Sequence, residues 1–177
     1  MSHLSRVFSL SRNRKPVRKF ADRPIPRELM DRVLDCGRYS VSAGEDQPWR
    51  FVVVRDPMIR HRLAEAAFHS RLVRTAPIVI AGCARLHSRI SGNGKPAHPT
   101  DLAAASQAIA LCAADLGLQS AWITGFREAS VREILDVPRD VPVVTLLALG
   151  YPDGFTRLPE RRSTRETVSW DRWEDPA

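Results

Sequence analysis

The sequence predicts a layered α/β/α domain, a sheet held between helices, on three observations. Four short apolar runs have strand length: FVVV (51–54), PIVIAGC (77–83), SAWIT (120–124) and PVVTLLALG (142–150). Segments of helical character lie between them, and interleaved helices are what an apolar sheet needs to cover its faces. The 177 residues are enough to bury one substantial core, and no repeat, heptad pattern or low-complexity linker divides residues 1–177.

Each element has its own signal. LSRVFSL (4–10) places Leu4, Val7, Phe8 and Leu10 at roughly helical spacing, so residues 1–13 read as an N-terminal helix. In IPRELMDRVLDCG (25–37), Pro26 suits a first turn, Leu29, Val33 and Leu34 form a stripe, and Gly37 suits the C-terminal cap. Asp56 caps a helix whose Met58, Ile59 and Leu63 face inward. Residues 85–99, with Gly92, Gly94, Pro96 and Pro99, form the longest loop candidate, and 86–99 is expected to act as a mobile lid. From Thr100 as N-cap to Gly117 as C-cap runs DLAAASQAIALCAADL, small and apolar almost all round, as in a helix buried on most sides. Ser130 and Glu133 read as a capping box for a short helix ending before Pro138. The tail, 154–177, carries Arg157, Arg161, Arg162 and Arg165, and its Trp170 and Trp173 need a surface to pack against.

Charge narrows the partners. The formal net charge of +7 calls for an anion: nucleic acid, a membrane surface or a phosphorylated small molecule. No run approaches the ~20 apolar residues that span a bilayer. The first 21 residues lack acid and are rich in Arg and Ser, as in a transit peptide, but these arginines belong to a pattern that continues into the fold. Cys36, Cys83 and Cys112 are widely spaced in apolar stretches without CxxC or Cys/His ligand patterns, which excludes a zinc site or disulfide framework and fits core packing in a reducing cytoplasm. The five histidines show no metal spacing either. GNGK (92–95) is not a phosphate loop, because Pro96 stands where Ser or Thr is required.

The densest cationic stretch is RKPVRKF (14–20), with Arg14, Lys15, Arg18 and Lys19 inside seven residues. Alone it reads as a solvated face. Beside it stand SAGEDQPWRFVVV (42–54), SQAIALCAADLGLQSAWITGF (106–126) and RRSTRETVSWDRW (161–173). In this order, across about residues 14–173, the four pieces resemble the FMN-dependent nitroreductase family. The family's opening Arg-Arg-Ser-x-Arg is matched by Arg14-Lys15-Pro16-Val17-Arg18, and its Pro-Ser-x-x-Asn-x-Gln-Pro-Trp by Val41 to Trp49. Its Leu-Gly-Leu and Trp-Ile-x-Gly are Leu116-Gly117-Leu118 and Trp122-Ile123-Thr124-Gly125. The closing basic pair and Asp-Arg-Trp are Arg161-Arg162 and Asp171-Arg172-Trp173.

The resemblance implies an α+β fold with a mixed, mainly antiparallel sheet, in a homodimer whose C-terminal tails are exchanged and whose two FMN sites lie at the interface. It implies that Arg14, Arg161 and Arg162 meet the FMN phosphate with help from Lys15 and Pro16, arginine being able to do so bidentately. Arg18 is expected at the pyrimidine edge of the flavin, where reduction places negative charge. Backbone N–H groups of Thr124 and Gly125 would lie near N5, while Ser42, Ala43, Glu45 and Gln47 would come from the other subunit. The implied chemistry is ping-pong: NAD(P)H gives hydride to FMN, and a small oxidised substrate of nitroaromatic, quinone or enone type takes it. No protein residue acts as catalytic acid or base.

Three positions depart from the family pattern. Pro16 replaces a serine and removes a donor worth ~1.5–3 kcal/mol toward a charged group. Val41 replaces a proline. Glu45 replaces an asparagine and, ionised, cannot donate a hydrogen bond; it is expected to turn toward Arg14, Arg18 or solvent. Pro16 and Glu45 leave open a flavin-binding member without reductase activity. A basic nucleic-acid-binding protein is the weaker rival, because the cations are dispersed and no nucleic-acid motif is present. Trp49, Trp122 and Phe126 read as core aromatics rather than flavin stackers.

Overall fold

The computed structural model describes residues 5–85, 89–154 and 156–175. Its four strands are β1 (Trp49–Val54), β2 (Ile78–Ala84), β3 (Gln119–Ile123) and β4 (Val143–Gly150), in the sheet order β1-β2-β4-β3. All three ladders are antiparallel. The helices are α1 (Arg6–Asn13), α2 (Arg27–Arg38), α3 (Pro57–Ala66), α4 (Arg71–Thr75), α5 (His98–Asp115), α6 (Glu128–Ile134) and α7 (Thr164–Thr167).

Alternation along the central strands sorts the core into two layers. Ile78 and Ile80 of β2, with Leu147 and Leu149 of β4, face Met30 and Val33 of α2 and Ile109 and Ala113 of α5. Val79 and Ala81, with Leu146 and Ala148, face Leu63 of α3, Val73 of α4 and Val131 of α6. Every residue of β2 is buried. That is why it reads as a continuous apolar run: a strand covered on both faces has no polar side. Each such Val, Leu or Ile contributes about 1.5–3 kcal/mol by leaving water.

Several local expectations hold. The Asp56 carboxylate accepts from the N–H groups of Met58 and Ile59 at 2.7 and 3.1 Å, and Gly117, at φ +78°, follows the end of α5. Met58 nevertheless faces solvent, while Leu63 is buried as expected.

Other boundaries moved, each because a tertiary contact overrode a local signal. The helix α5 starts at His98, two residues before Thr100, because Ala97 is fixed by its N–H bond to the Arg89 carbonyl at 2.9 Å. The helix α6 starts after Arg127, whose N–H donates to the Ala66 carbonyl at 2.9 Å, so Ser130 lies inside the helix and forms no capping box with Glu133. A capping box does form in the tail, between Ser163 and Glu166. Gly37 lies inside α2 rather than at its cap; a Cβ there would stand 2.7 Å from Ile109 Cγ1, so the glycine lets α2 and α5 approach. The short α4 had no sequence signal, since five residues carry too little periodicity. Residues 90–96 close into a small hairpin through the Ile90–Pro96 bridge and the Ser91 N–H bond to the Lys95 carbonyl. Leu86, His87 and Ser88 of the expected lid lie outside the described residues.

Two outcomes test this packing. Gly150 ends β4 against Pro77 and Phe20, where a Cβ would lie 2.6 Å from Pro77 Cδ. A proline ring cannot swing aside, so Gly150→Ala lowers stability by about 1–3 kcal/mol in urea unfolding. Burial pushes the Cys83 thiol from 9.0 up to about 11. Burial, and next the neighbouring Cys36 thiol, push Cys112 up to about 12. Native protein at pH 8 therefore resists iodoacetamide at Cys83 and Cys112, read by peptide mass mapping, while unfolded protein reacts at both. The unfolded thiols ionise first, so the stability tied to these groups is complete below pH 9 and is lost as the pH climbs toward 11 to 12.

Candidate functional site

The basic segment is held on the body by alternate anchoring. Val17 and Phe20 are buried, Phe20 bridges Pro152, and the Ala21 N–H donates to the Tyr151 carbonyl at 2.8 Å. Lys19 pairs with Asp153. Arg14 caps the C-terminus of α1, where a cation complements the helix dipole. The helix itself is tied to α5 by Arg6, whose guanidinium donates to both Asp115 carboxylate oxygens at 2.6–2.9 Å.

Arg14, Pro16 and Arg18 line a cleft of about 440 Å³ with Leu72 of α4, Gln107 of α5 and residues Ser120–Trp122 of β3. This volume lies within the range of ~300–1,000 Å³ usual for small-molecule sites. The strand β3 pairs only with β4 and stands at the sheet edge. The lining therefore offers two guanidinium groups, a carboxamide and a flat indole. That donor set suits a phosphorylated aromatic molecule: the cations match the phosphate, and the apolar wall matches a ring. Lys15 is half-buried between Arg14 and Pro16 in sequence.

Thr124 and Gly125 follow β3 directly and are exposed. Beside them stands a residue that sequence reasoning missed. Phe68 is 63% exposed, has φ +53°, and is followed by His69 at φ +59°. A Cβ on Gly125 would meet the Phe68 ring at 3.8 Å, and the Arg127 guanidinium lies 5.7 Å from the ring centroid. An apolar ring presented to solvent by left-handed backbone is open to contact with a flat ligand. Nothing in the local pattern flags it, because Phe68 falls between two helices. Leu72 and Gln107 were missed too; they are ordinary residues brought to the cleft by packing. Trp122 packs on the core and lines the cleft, Phe126 packs on the core, and Trp49 lines a second cleft.

That second cleft, about 600 Å³, lies by β1 and is lined by Glu45, Asp46 and Gln47 with Trp49, Phe51 and Arg38 among others. The strands β1 and β3 are the two edges of the sheet. At about 4.8 Å between strands, some 14 Å separates them. One chain thus sets Arg14, Pro16 and Arg18 at one edge and the 42–47 turn at the other. Glu45 is exposed and makes no ion pair among the described residues, so of its expected directions it takes solvent. Arg161 and Arg162 are exposed on the tail and line neither cleft. Trp170 and Trp173 on the same tail are 82% and 85% exposed. Among the described residues, no cluster of three or more His, Cys, Asp or Glu could hold a metal ion, and no helix is long and apolar enough to cross a membrane.

Comparison with known proteins decides the family. The nitroreductase family model matches residues 11–77 and 68–151. The chain belongs to the nitroreductase family. A relative from Methanothermobacter thermautotrophicus, whose name pairs NADH dehydrogenase with NAD(P)H nitroreductase, is 30% identical over 171 residues, covering 94% of this chain and 84% of its own. Two solved structures share the fold. The NADPH:FMN oxidoreductase of Vibrio harveyi, complexed with NAD+, aligns with a TM-score of 0.88 at 22% identity, over 97% of this chain and 79% of that one. The FMN-dependent nitroreductase of Clostridium difficile R20291 aligns with a TM-score of 0.81 at 22% identity, over 93% and 99%. This nitroreductase-family chain is accordingly an oxidoreductase of the NAD(P)H-linked type.

The 42–47 turn is joined to the core by one strong contact. Asp101, only 6% exposed in the first turn of α5, accepts from the Ala43 N–H at 3.0 Å. Asp101→Ala leaves that donor without its charged partner and costs about 1.5–3 kcal/mol, read as a lower urea midpoint. Amide exchange at Ala43 speeds up in the same variant.

Proposed function

We propose that the protein binds FMN and passes hydride from NADH or NADPH to a small oxidised organic molecule, the two partners using one slot in turn. The observation that carries this reading is the cleft joining Arg14 and Arg18 to the edge strand β3, which Thr124 and Gly125 follow in sequence. The names of the relatives support it: one is called FMN-dependent, and another is named for NADH and NAD(P)H.

FMN, when bound, supplies hydride acceptance and donation at its N5 atom. The chain's own residues bind, orient and shield. Arg14 meets the phosphate, where arginine can saturate two oxygens at once, with Lys15 beside it. Arg18 places a cation at the pyrimidine edge and so favours the reduced, anionic ring. Thr124 and Gly125 offer backbone N–H groups near N5, and the absent Gly125 side chain permits close approach. Phe68 walls the slot from which a nicotinamide or a flat acceptor reaches the ring. No side chain in the cleft needs to act as acid or base.

The rest of the site comes from a second copy. In this reading Ser42, Ala43, Glu45 and Gln47 of one protomer face the cofactor of the other. The tails exchange, bringing Arg161 and Arg162 to the phosphate. The exchange also gives the exposed Trp170 and Trp173 a surface to cover them.

The purified protein is expected to be a yellow dimer that releases FMN on denaturation and bleaches with NADH or NADPH under anaerobic conditions. Arg14→Ala weakens FMN binding about tenfold or more, the loss of one charged hydrogen bond, measured by fluorescence titration of apoprotein. A protein that stays colourless and monomeric in excess FMN overturns the proposal. One that is yellow but never bleaches is a flavin binder without reductase activity.

A further inference from the structure

The 42–47 turn has a backbone that needs external support. Gly44, Glu45 and Gln47 have φ of +60°, +58° and +46°, three left-handed residues in four. L residues rarely adopt this conformation, and it persists only where surroundings over-determine it. Two of the supports are hydrogen bonds: Ala43 N–H to Asp101 Oδ1 at 3.0 Å, and Gln47 N–H to Ser42 Oγ at 2.9 Å.

The third is Arg89. Its Nη2, Cζ and Nε lie 2.6, 2.7 and 2.7 Å from the point a Gly44 Cβ would occupy, so the guanidinium rests on the bare glycine backbone. Its Nε is 3.5 Å from Asp46 Oδ2. The position of Arg89 is itself fixed. Its carbonyl accepts from Ala97 N–H at 2.9 Å, at the entry to α5, and the Ile90–Pro96 bridge closes the chain beyond it. Asp101 and Arg89 thus grip the turn from one assembly, the start of α5 and the hairpin leading into it.

We propose that Arg89 is a positioning residue: laid across Gly44 and paired with Asp46, it holds the 42–47 turn in the shape that faces the partner's flavin. This rests on the reading of that turn as cofactor-lining. The charge matters as well as the shape. Glu45 and Asp46 set two carboxylates side by side, close to where an anionic cofactor is to sit. Arg89 balances one of them. It thereby offsets the replacement of a neutral asparagine by Glu45 within the family motif. Only an arginine offers both a plate to lie on the glycine and a charge for Asp46; lysine offers the charge alone.

The test compares full-length wild type, Arg89→Ala, Arg89→Lys, Gly44→Ala and the Arg89→Ala/Gly44→Ala double variant. FMN is titrated into apoprotein by fluorescence, and amide exchange is measured without flavin. Arg89→Ala is expected to raise the FMN Kd ~5- to 10-fold, as for loss of a partly exposed ion pair plus the ordering it provides. Exchange quickens at Ala43 and Gln47, while the melting temperature and core amides are unchanged. Arg89→Lys recovers part of the affinity. Gly44→Ala weakens FMN binding more in wild type than in Arg89→Ala, because only wild type has the guanidinium to displace. Equal effects of Gly44→Ala in the two backgrounds, or wild-type FMN affinity in Arg89→Ala, overturn the proposal. Should wild type bind no FMN, the cofactor reading itself fails, while exchange at Ala43 and Gln47 still shows whether Arg89 holds the turn.

Discussion

The antiparallel pairing of β2 with β4, buried on both faces, is the constraint from which the rest follows. These strands carry apolar side chains in both directions, so helices must lie above and below them. The pair also occupies the centre of the sheet, which leaves β1 and β3 as its edges. Edges are where a sheet can offer backbone groups to something outside itself. Each edge here borders a cleft, and the residues suited to a cofactor are divided between the two.

The division explains how a strongly basic chain can be specific. A net charge of +7 would attract any polyanion if spread evenly. Several cations are instead already committed: Arg6 to Asp115, Lys19 to Asp153, Arg38 to Asp35 and Arg132 to Glu128. These pairs, most of them exposed, add little stability, but they cancel charge locally. Arg14 and Arg18 are turned into a cleft beside an apolar wall instead. In the proposed reading, selection for phosphate next to a ring would come from that contrast.

The sequence made the strands legible because β2 and β4 are covered on both sides and so read as unbroken apolar runs. The Asp56 cap was legible because its carboxylate meets only its own helix. Thr100 and Ser130 misled because tertiary bonds at Ala97 and Arg127 reverse the chain earlier, and side chains of capping type then fall inside helices. Gly37 misled because absence of a side chain serves close packing as well as termination. For the proposed site, the pattern singled out RKPVRKF by its charge and the 42–47 turn by its resemblance to the family motif. It could not find Phe68, Leu72 or Gln107, which matter through position alone.

The exposed groups bear on why a single protomer would offer only fragments of the proposed flavin site. Val7 and Phe8 on α1 face solvent, as do Trp170 and Trp173 on the tail. Trp170 and Trp173 lie on the same tail as Arg161 and Arg162, and Phe8 lies on the helix that ends at Arg14. The apolar side chains that a partner would cover are thus carried on the same segments as the cations proposed for the phosphate. Coverage of the former would deliver the latter. Apolar burial supplies most of the free energy of association, whereas charges steer and select. In the proposed dimer, linking the two on one segment would make dimer formation and phosphate capture reinforce each other. A chain folded alone would then hold the cofactor weakly, and a bound cofactor would in turn stabilise the pair by mass action.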